Sequence, residues 1–165
     1  MKLEVKNLVK KFKDFTAVKN INFNINDGQT LGVLGPNGCG KTTTIGMLLG
    51  LIKPSNGEIL IDDENFENLN REKILSQFNF ASPYVELPKK LTVKENLEIY
   101  GRLYGVEDLT NRIHEISEDL NLSTFLNKKT GELSSGQKNR VSLAKSLINN
   151  PKILFLDEPT ASLDP

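Results

Sequence analysis

The sequence has no tryptophan, a single cysteine and a single histidine among its 165 residues. One cysteine cannot close an internal disulfide, which agrees with a reducing cytosol. Excess charge is missing too: 21 basic and 21 acidic residues cancel, so nothing in the balance argues for nucleic acid or an anionic membrane surface. No apolar run approaches the roughly 20 residues that a membrane span needs. The opening MKLEVKNLVKKF is too polar for a signal peptide. Contact with a membrane is therefore expected to run through a partner protein. Internal repeats and low-complexity segments are absent as well. What remains is ordinary globular composition, 25% charged and 38% hydrophobic, in a chain long enough for one domain with a real core.

Periodicity then sketches the elements. Leu3, Val5, Ile21, Phe23 and Ile25 alternate with polar residues, the period of half-buried strands. Asp27-Gly28 marks a turn. Leu31–Leu34 is apolar without alternation, which predicts a strand buried on both faces. Ile45, Leu48, Leu49 and Ile52 fall at helical spacing over Lys41–Leu51. Pro54 and Gly57 interrupt the chain before a strand over Glu58–Ile61. Further on, Thr92 and Glu95 form a capping box for a helix with Leu97, Tyr100, Leu103 and Tyr104 on one face, ending at Gly105. Ile113, Ile116 and Leu120 mark a second helix; His114, among polar neighbours there, reads as a surface residue. Ser134 or Ser135 caps a third, whose buried stripe is Val141, Ala144, Leu147 and Ile148. Asn149-Asn150-Pro151 stops it, and Ile153–Leu156 is a further apolar strand.

Chemistry concentrates in a few short stretches. GPNGCGKT, Gly35 to Thr42, matches G-x-x-x-x-G-K-[ST], and it stands between an expected strand and an expected helix as that motif requires. Gly35, Gly38 and Gly40 let the backbone approach phosphate oxygens, and the helix aims its positive end at them. Lys41 is expected on the β- and γ-phosphates of a nucleoside triphosphate, and the Thr42 hydroxyl on Mg²⁺. Pro36, Asn37, Cys39 and Thr43 complete the nucleotide-binding run, with Cys39 simply a small residue within it. ILFLDE places Asp157 at a strand end, where it would hold Mg²⁺ through the water shell, and Glu158 beside it as general base for the attacking water. Leu133–Gln137, LSSGQ, puts serine and glycine at a helix start, a ready anion site.

These stretches, in this order, resemble the ATPase subunit of an ABC transporter from about Leu3 onward. The resemblance implies an α/β fold: a P-loop NTPase core with a mostly parallel sheet, an N-terminal antiparallel β subdomain and an α-helical signature subdomain. It divides one ATPase domain into residues 1–82 (β subdomain and phosphate-loop part of the core), 83–137 (helical insert ending in the signature) and 138–165 (return to the core). It implies that Ser134 and Gly136, supported by Gln137, close over the γ-phosphate held by a second ATPase subunit, a copy or a homologue. Asp164, in the ASLD run after Pro159, would cross that interface. Phe12 falls where related proteins stack an aromatic ring on adenine; Phe15 competes for that role, and a half-buried strand residue is the plain alternative. ATP hydrolysis would power transport through a separate membrane permease. The run Thr42–Ile59 resembles exporter-type ATPases, and the subunit would be cytoplasmic, held at the inner face of the membrane by the permease. The rivals are a non-transport ABC ATPase and a nucleotide-binding regulatory module.

The family pattern fails in two places. A glutamine is usual before the helical insert, but Phe80-Ala81-Ser82-Pro83-Tyr84 has none and Gln77 stands before the strand. Either water completes the metal shell or coupling to the partner differs, with Tyr84 and Val85 lining the groove for the permease. The usual switch histidine, on a strand beyond the ASLD run, has no counterpart up to Pro165. The resemblance therefore implies a chain truncated after that run and lacking a central strand, with inner strand edges unpaired.

Overall fold

A computed structural model describes residues 1–82 and 87–157. The chain divides into two compact units, Met1–Leu75 and Ser76–Pro165. In the first unit, β1 (Leu3–Phe12) and β2 (Phe15–Ile25) form an antiparallel hairpin. The helix α1 (Lys41–Leu48) follows, then β3 (Asn56–Ile61), the short β4 (Glu64–Asn65) and α2 (Arg71–Leu75). The sheet runs β2-β1-β3-β4, antiparallel throughout. Leu3 lies opposite Ile25 on one side and Ile61 on the other, so the alternation in the sequence becomes one buried face. Leu3, Val5, Leu8, Ile59 and Ile61 are buried there. Ile21, Phe23 and Ile25 are half-buried between exposed Asn22 and Asn24, as their spacing predicts.

Two expectations in this unit need correction. Leu31–Leu34 forms no strand, and Leu31, Val33 and Leu34 are 43%, 52% and 94% exposed. No strand among the described residues pairs with that segment, so it has no ladder there to bury both of its faces. The helix from Lys41 also ends at Leu48 rather than Leu51. Gly50 takes a left-handed φ of 66°, and the Gly50 and Leu51 N–H groups turn back to the Met47 and Gly46 carbonyls. That double closure is a Schellman stop. The buried side is Thr44, Met47 and Leu48, while Ile45, Leu49 and Ile52 are only half-buried.

The second unit opens with β5 (Phe78–Ala81) and closes its described part with β6 (Ile153–Leu156), a parallel pair in register from Phe78↔Ile153 to Ala81↔Leu156. Parallel strands need a long crossover, and α3 (Val93–Leu103), α4 (Leu109–Asp119) and α5 (Ser135–Leu147) supply it. Their apolar stripes meet in one core built on Val93, Leu97, Ile113, Ile116, Val141, Ala144 and Ile148. The Thr92–Glu95 capping box is present: the Thr92 hydroxyl accepts from the Glu95 N–H at 3.1 Å, and the Glu95 carboxylate accepts from the Thr92 N–H at 2.7 Å. Those bonds to Thr92 hold the Glu95 carboxyl below its ordinary value. His114 is exposed, 4.0 Å from Glu118. Pro83–Glu86 and Glu158–Pro165 lie outside the described residues, and with them Tyr84, Val85, Glu158 and Asp164.

Candidate nucleotide site

The phosphate loop belongs to the first unit. Gly40 precedes α1 with φ 98°, a left-handed conformation, and a Cβ there would strike the Ala17 carbonyl oxygen and crowd Val18. Glycine is thus required at that position for two independent reasons, backbone torsion and space. No side chain caps α1, and no acidic residue occupies its first turn. Its leading N–H groups have no intrahelical partners. The Lys41 ammonium folds back on the loop, donating to the carbonyls of Gly35 at 2.8 Å and Pro36 at 3.1 Å. The Cys39 N–H closes the turn on the Pro36 carbonyl at 3.2 Å. Gly35 to Cys39 are exposed, and no atom lies within 4 Å of where a Gly38 Cβ would stand. An uncapped helix start, open backbone and one ammonium form a cradle of positive potential, the donor set that a triphosphate fits. Phe12 sits at the tip of the β1–β2 hairpin, 46% exposed, with the Lys10 ammonium 4.9 Å from its ring centroid. Phe15, across the turn, is 60% exposed, so neither ring is the half-buried strand residue of the plain alternative.

In the second unit, the carboxylate expected to serve a metal lies at the carboxyl end of β6. Asp157 is 7% exposed, and its N–H donates to the Ala81 carbonyl at 2.9 Å, which ties it to the last rung of the β5–β6 ladder. Among the described residues no three His, Cys, Asp or Glu side chains gather into a metal cage. The Asp157 carboxylate and the Thr42 hydroxyl, each described within its own unit, are oxygen donors of the kind that Mg²⁺ takes. Gln77 precedes β5 and spends its carbonyl on the N–H groups of Lys152 at 2.8 Å and Ile153 at 3.3 Å.

The third constellation is the start of α5. Ser134 is the cap, not Ser135: its hydroxyl accepts from the Gln137 N–H at 3.3 Å, and the Gln137 carboxamide oxygen accepts from the Ser134 N–H at 3.0 Å. Gln137 thus acts inside the cap. Ser134, Ser135 and Gly136 are exposed, and a Cβ on Gly136 would meet nothing within 4 Å.

Sequence reasoning passed over Asn79. Its carboxamide donates to Asn149 at 2.8 Å, and the Tyr104 hydroxyl donates to its oxygen at 3.4 Å. Burial raises the Tyr104 phenol above its ordinary value. Asn149 in turn donates to the Ser76 and Phe78 carbonyls at 2.9 and 3.2 Å. The signal was a polar residue inside an apolar strand, FNFA, which demands a buried partner.

Set beside known proteins, the chain matches the family model described as ABC transporter over residues 18–161. It is 38% identical over 164 residues to a spermidine/putrescine import ATP-binding protein of Nitrosomonas eutropha, covering 98% of this chain and 45% of that one. It is 40% identical over 166 residues to a bacitracin transport ATP-binding protein of Bacillus licheniformis, covering 99% and 53%. A solved ATP-binding cassette, dimeric and in a post-hydrolysis state with ADP and Pi, superposes with a TM-score of 0.82 at 33% identity, covering 98% of this chain and 76% of that one. The chain spans about half the length of the curated relatives it matches. Among the described residues no helix is long and apolar enough to cross a membrane.

Proposed function

Because the chain belongs to the ABC transporter family, we propose that it is the ATP-binding part of a subunit whose ATP hydrolysis drives transport through a separate membrane permease. The observation that supports this most is the start of α1: no side-chain cap, no acid in the first turn, and Lys41 folded onto the loop carbonyls. A bound triphosphate would replace those carbonyls as the partner of Lys41 and accept from the N–H groups at the start of α1. Gly35 to Thr43 would cradle the β- and γ-phosphates, and Phe12 would stack on the adenine. When bound, Mg²⁺ neutralises phosphate charge, and Thr42 and Asp157 are the residues that would hold it. Glu158 would take the proton of the water that attacks the γ-phosphorus, while the β–γ bridging bond breaks and ADP leaves with its oxygen.

Ser134 and Gly136 would meet the γ-phosphate held by a second subunit, a copy or a homologue, so that ATP joins two faces. That closure, undone by hydrolysis, would pull on the permease and place the subunit on the cytoplasmic side of the membrane. We assign the export direction from the Thr42–Ile59 run, which resembles exporter-type ATPases. The test is steady-state ATPase activity of the protein at its natural length beside its Glu158→Gln form. A general base contributes about 100- to 10,000-fold, so turnover is expected to fall by that factor while ATP is still retained. Equal turnover in the two forms removes Glu158 from the mechanism.

A further inference from the structure

The two described strands of the second unit, β5 and β6, end side by side. In a parallel pair, residues in register point to the same face, and every second residue returns to it. Phe78 and Phe80 therefore share a face with Ile153 and Phe155, and the edge-to-face contact of Phe78 with Phe155, 5.6 Å between centroids, shows that sharing directly. The Asp157 N–H to Ala81 carbonyl bond at 2.9 Å belongs to the last rung, Ala81↔Leu156, and holds Asp157 at the end of β5. The residues that follow Ala81 and Leu156, the last pair in register, are Ser82 and Asp157. Both are buried, 6% and 7% exposed. Ser82 is thus a hydroxyl at the carboxyl end of a parallel strand, the place where open α/β sheets bind their ligands.

The opposite face of β5 is pinned. Asn79 is tied to Asn149, Asn149 holds the Ser76 and Phe78 carbonyls, and the Phe80 N–H donates to Asn79 at 2.8 Å. A strand held this way presents its last residues at a fixed height, which is what a site with sub-ångström demands needs from its support.

We propose that Ser82 is a positioning residue for the metal: its hydroxyl orients the Asp157 carboxylate toward a divalent cation carried by the nucleotide. This rests on the ATP-binding reading above and adds a residue to it. Groups that orient a metal-holding side chain typically alter metal affinity by 10- to 100-fold when removed.

The experiment uses the protein at its natural length, with Mn²⁺ as the spectroscopic probe titrated into protein and ATP and followed by electron paramagnetic resonance. Ser82→Ala is expected to weaken Mn²⁺ by about tenfold or more, with metal-free ATP affinity unchanged by equilibrium dialysis. Ser82→Thr, which keeps the hydroxyl, is expected within about threefold of the parent, a rescue that a packing role would not give. Should Ser82→Ala lose its fold, Ser82→Cys, nearly the same in volume but a weak donor, is expected to show the same loss. Parent-like Mn²⁺ affinity in Ser82→Ala, or in a folded Ser82→Cys, overturns the role of Ser82 and leaves the ATP-binding reading standing. A parent protein that fails to bind Mn²⁺ with ATP overturns both.

Discussion

The helix that starts at Lys41 and the helix that starts at Ser135 both present N–H groups behind a glycine-bearing segment, but only the second closes its own end. α1 begins with a left-handed glycine and no side-chain cap. α5 begins with a complete box in which Ser134 and Gln137 satisfy each other's N–H groups. The glycines differ in the same sense. Gly40 is required by its own surroundings, the Ala17 carbonyl and a φ of 98°. Among the described residues nothing requires Gly136, since none lies within 4 Å of where its Cβ would stand. An end left uncapped by the fold is suited to a ligand that supplies the cap. A self-capped end with a bare glycine on its surface is suited to close approach by something outside the chain.

The strongest way to break this contrast is Lys41→Ala. Hydrogen bonds to charged groups are worth about 1.5–3 kcal/mol, so ATP retention in equilibrium dialysis is expected to weaken between about 10- and 150-fold. Retention equal to the parent would mean that the open end of α1 is not a phosphate site. The paired glycine variants sharpen the contrast further. Gly40→Ala is expected to lower unfolding free energy in urea by about 1–3 kcal/mol, the cost of a strained backbone position. Gly136→Ala is expected to stay within about 0.5 kcal/mol of the parent, as exposed substitutions do, while ATPase turnover falls at least tenfold. A destabilised Gly136→Ala, or a fully active one, would erase the difference between the two helix starts.

The smallest effect separates α3 and α5, the described helices closed by a full capping box. Glu95 closes α3 with a carboxylate, whereas Gln137 closes α5 with a neutral amide. The folded value of Glu95 lies below its ordinary 4.5 because Thr92 bonds the charged form. Its contribution is therefore fully present above that ordinary value and is lost as pH falls through the lowered one. Amide exchange, corrected for intrinsic pH dependence, is expected to speed up at Thr92 in that window and not at Ser134.

Much of this was legible in residue order. The alternation of Leu3 and Val5, the Thr92–Glu95 box and the stripe of Val141, Ala144 and Ile148 each obey a local period, and local periods survive folding. The phosphate loop was legible because its glycines and lysine act through backbone geometry. Leu31–Leu34 was misread because a buried strand is defined by its neighbours, and no described strand pairs with that segment. Ser82 and Asn79 stayed hidden for a related reason. Their roles come from strand register, which pairs residues some 75 positions apart, as Phe78 with Ile153, and no short pattern encodes it. The choice of Ser134 over Ser135 also needed coordinates, since either serine could have capped the helix.

In the proposed cycle, ATP held at Gly35 to Thr43 joins two subunits by meeting Ser134 and Gly136 of the second. Sedimentation equilibrium on the Glu158→Gln form of the protein at its natural length, with and without saturating Mg²⁺·ATP, tests it most directly. A monomer is expected without nucleotide, a dimer with it, and a return to monomer when Gly136→Ala is added. A Glu158→Gln protein that binds ATP yet stays monomeric at saturation would contradict it.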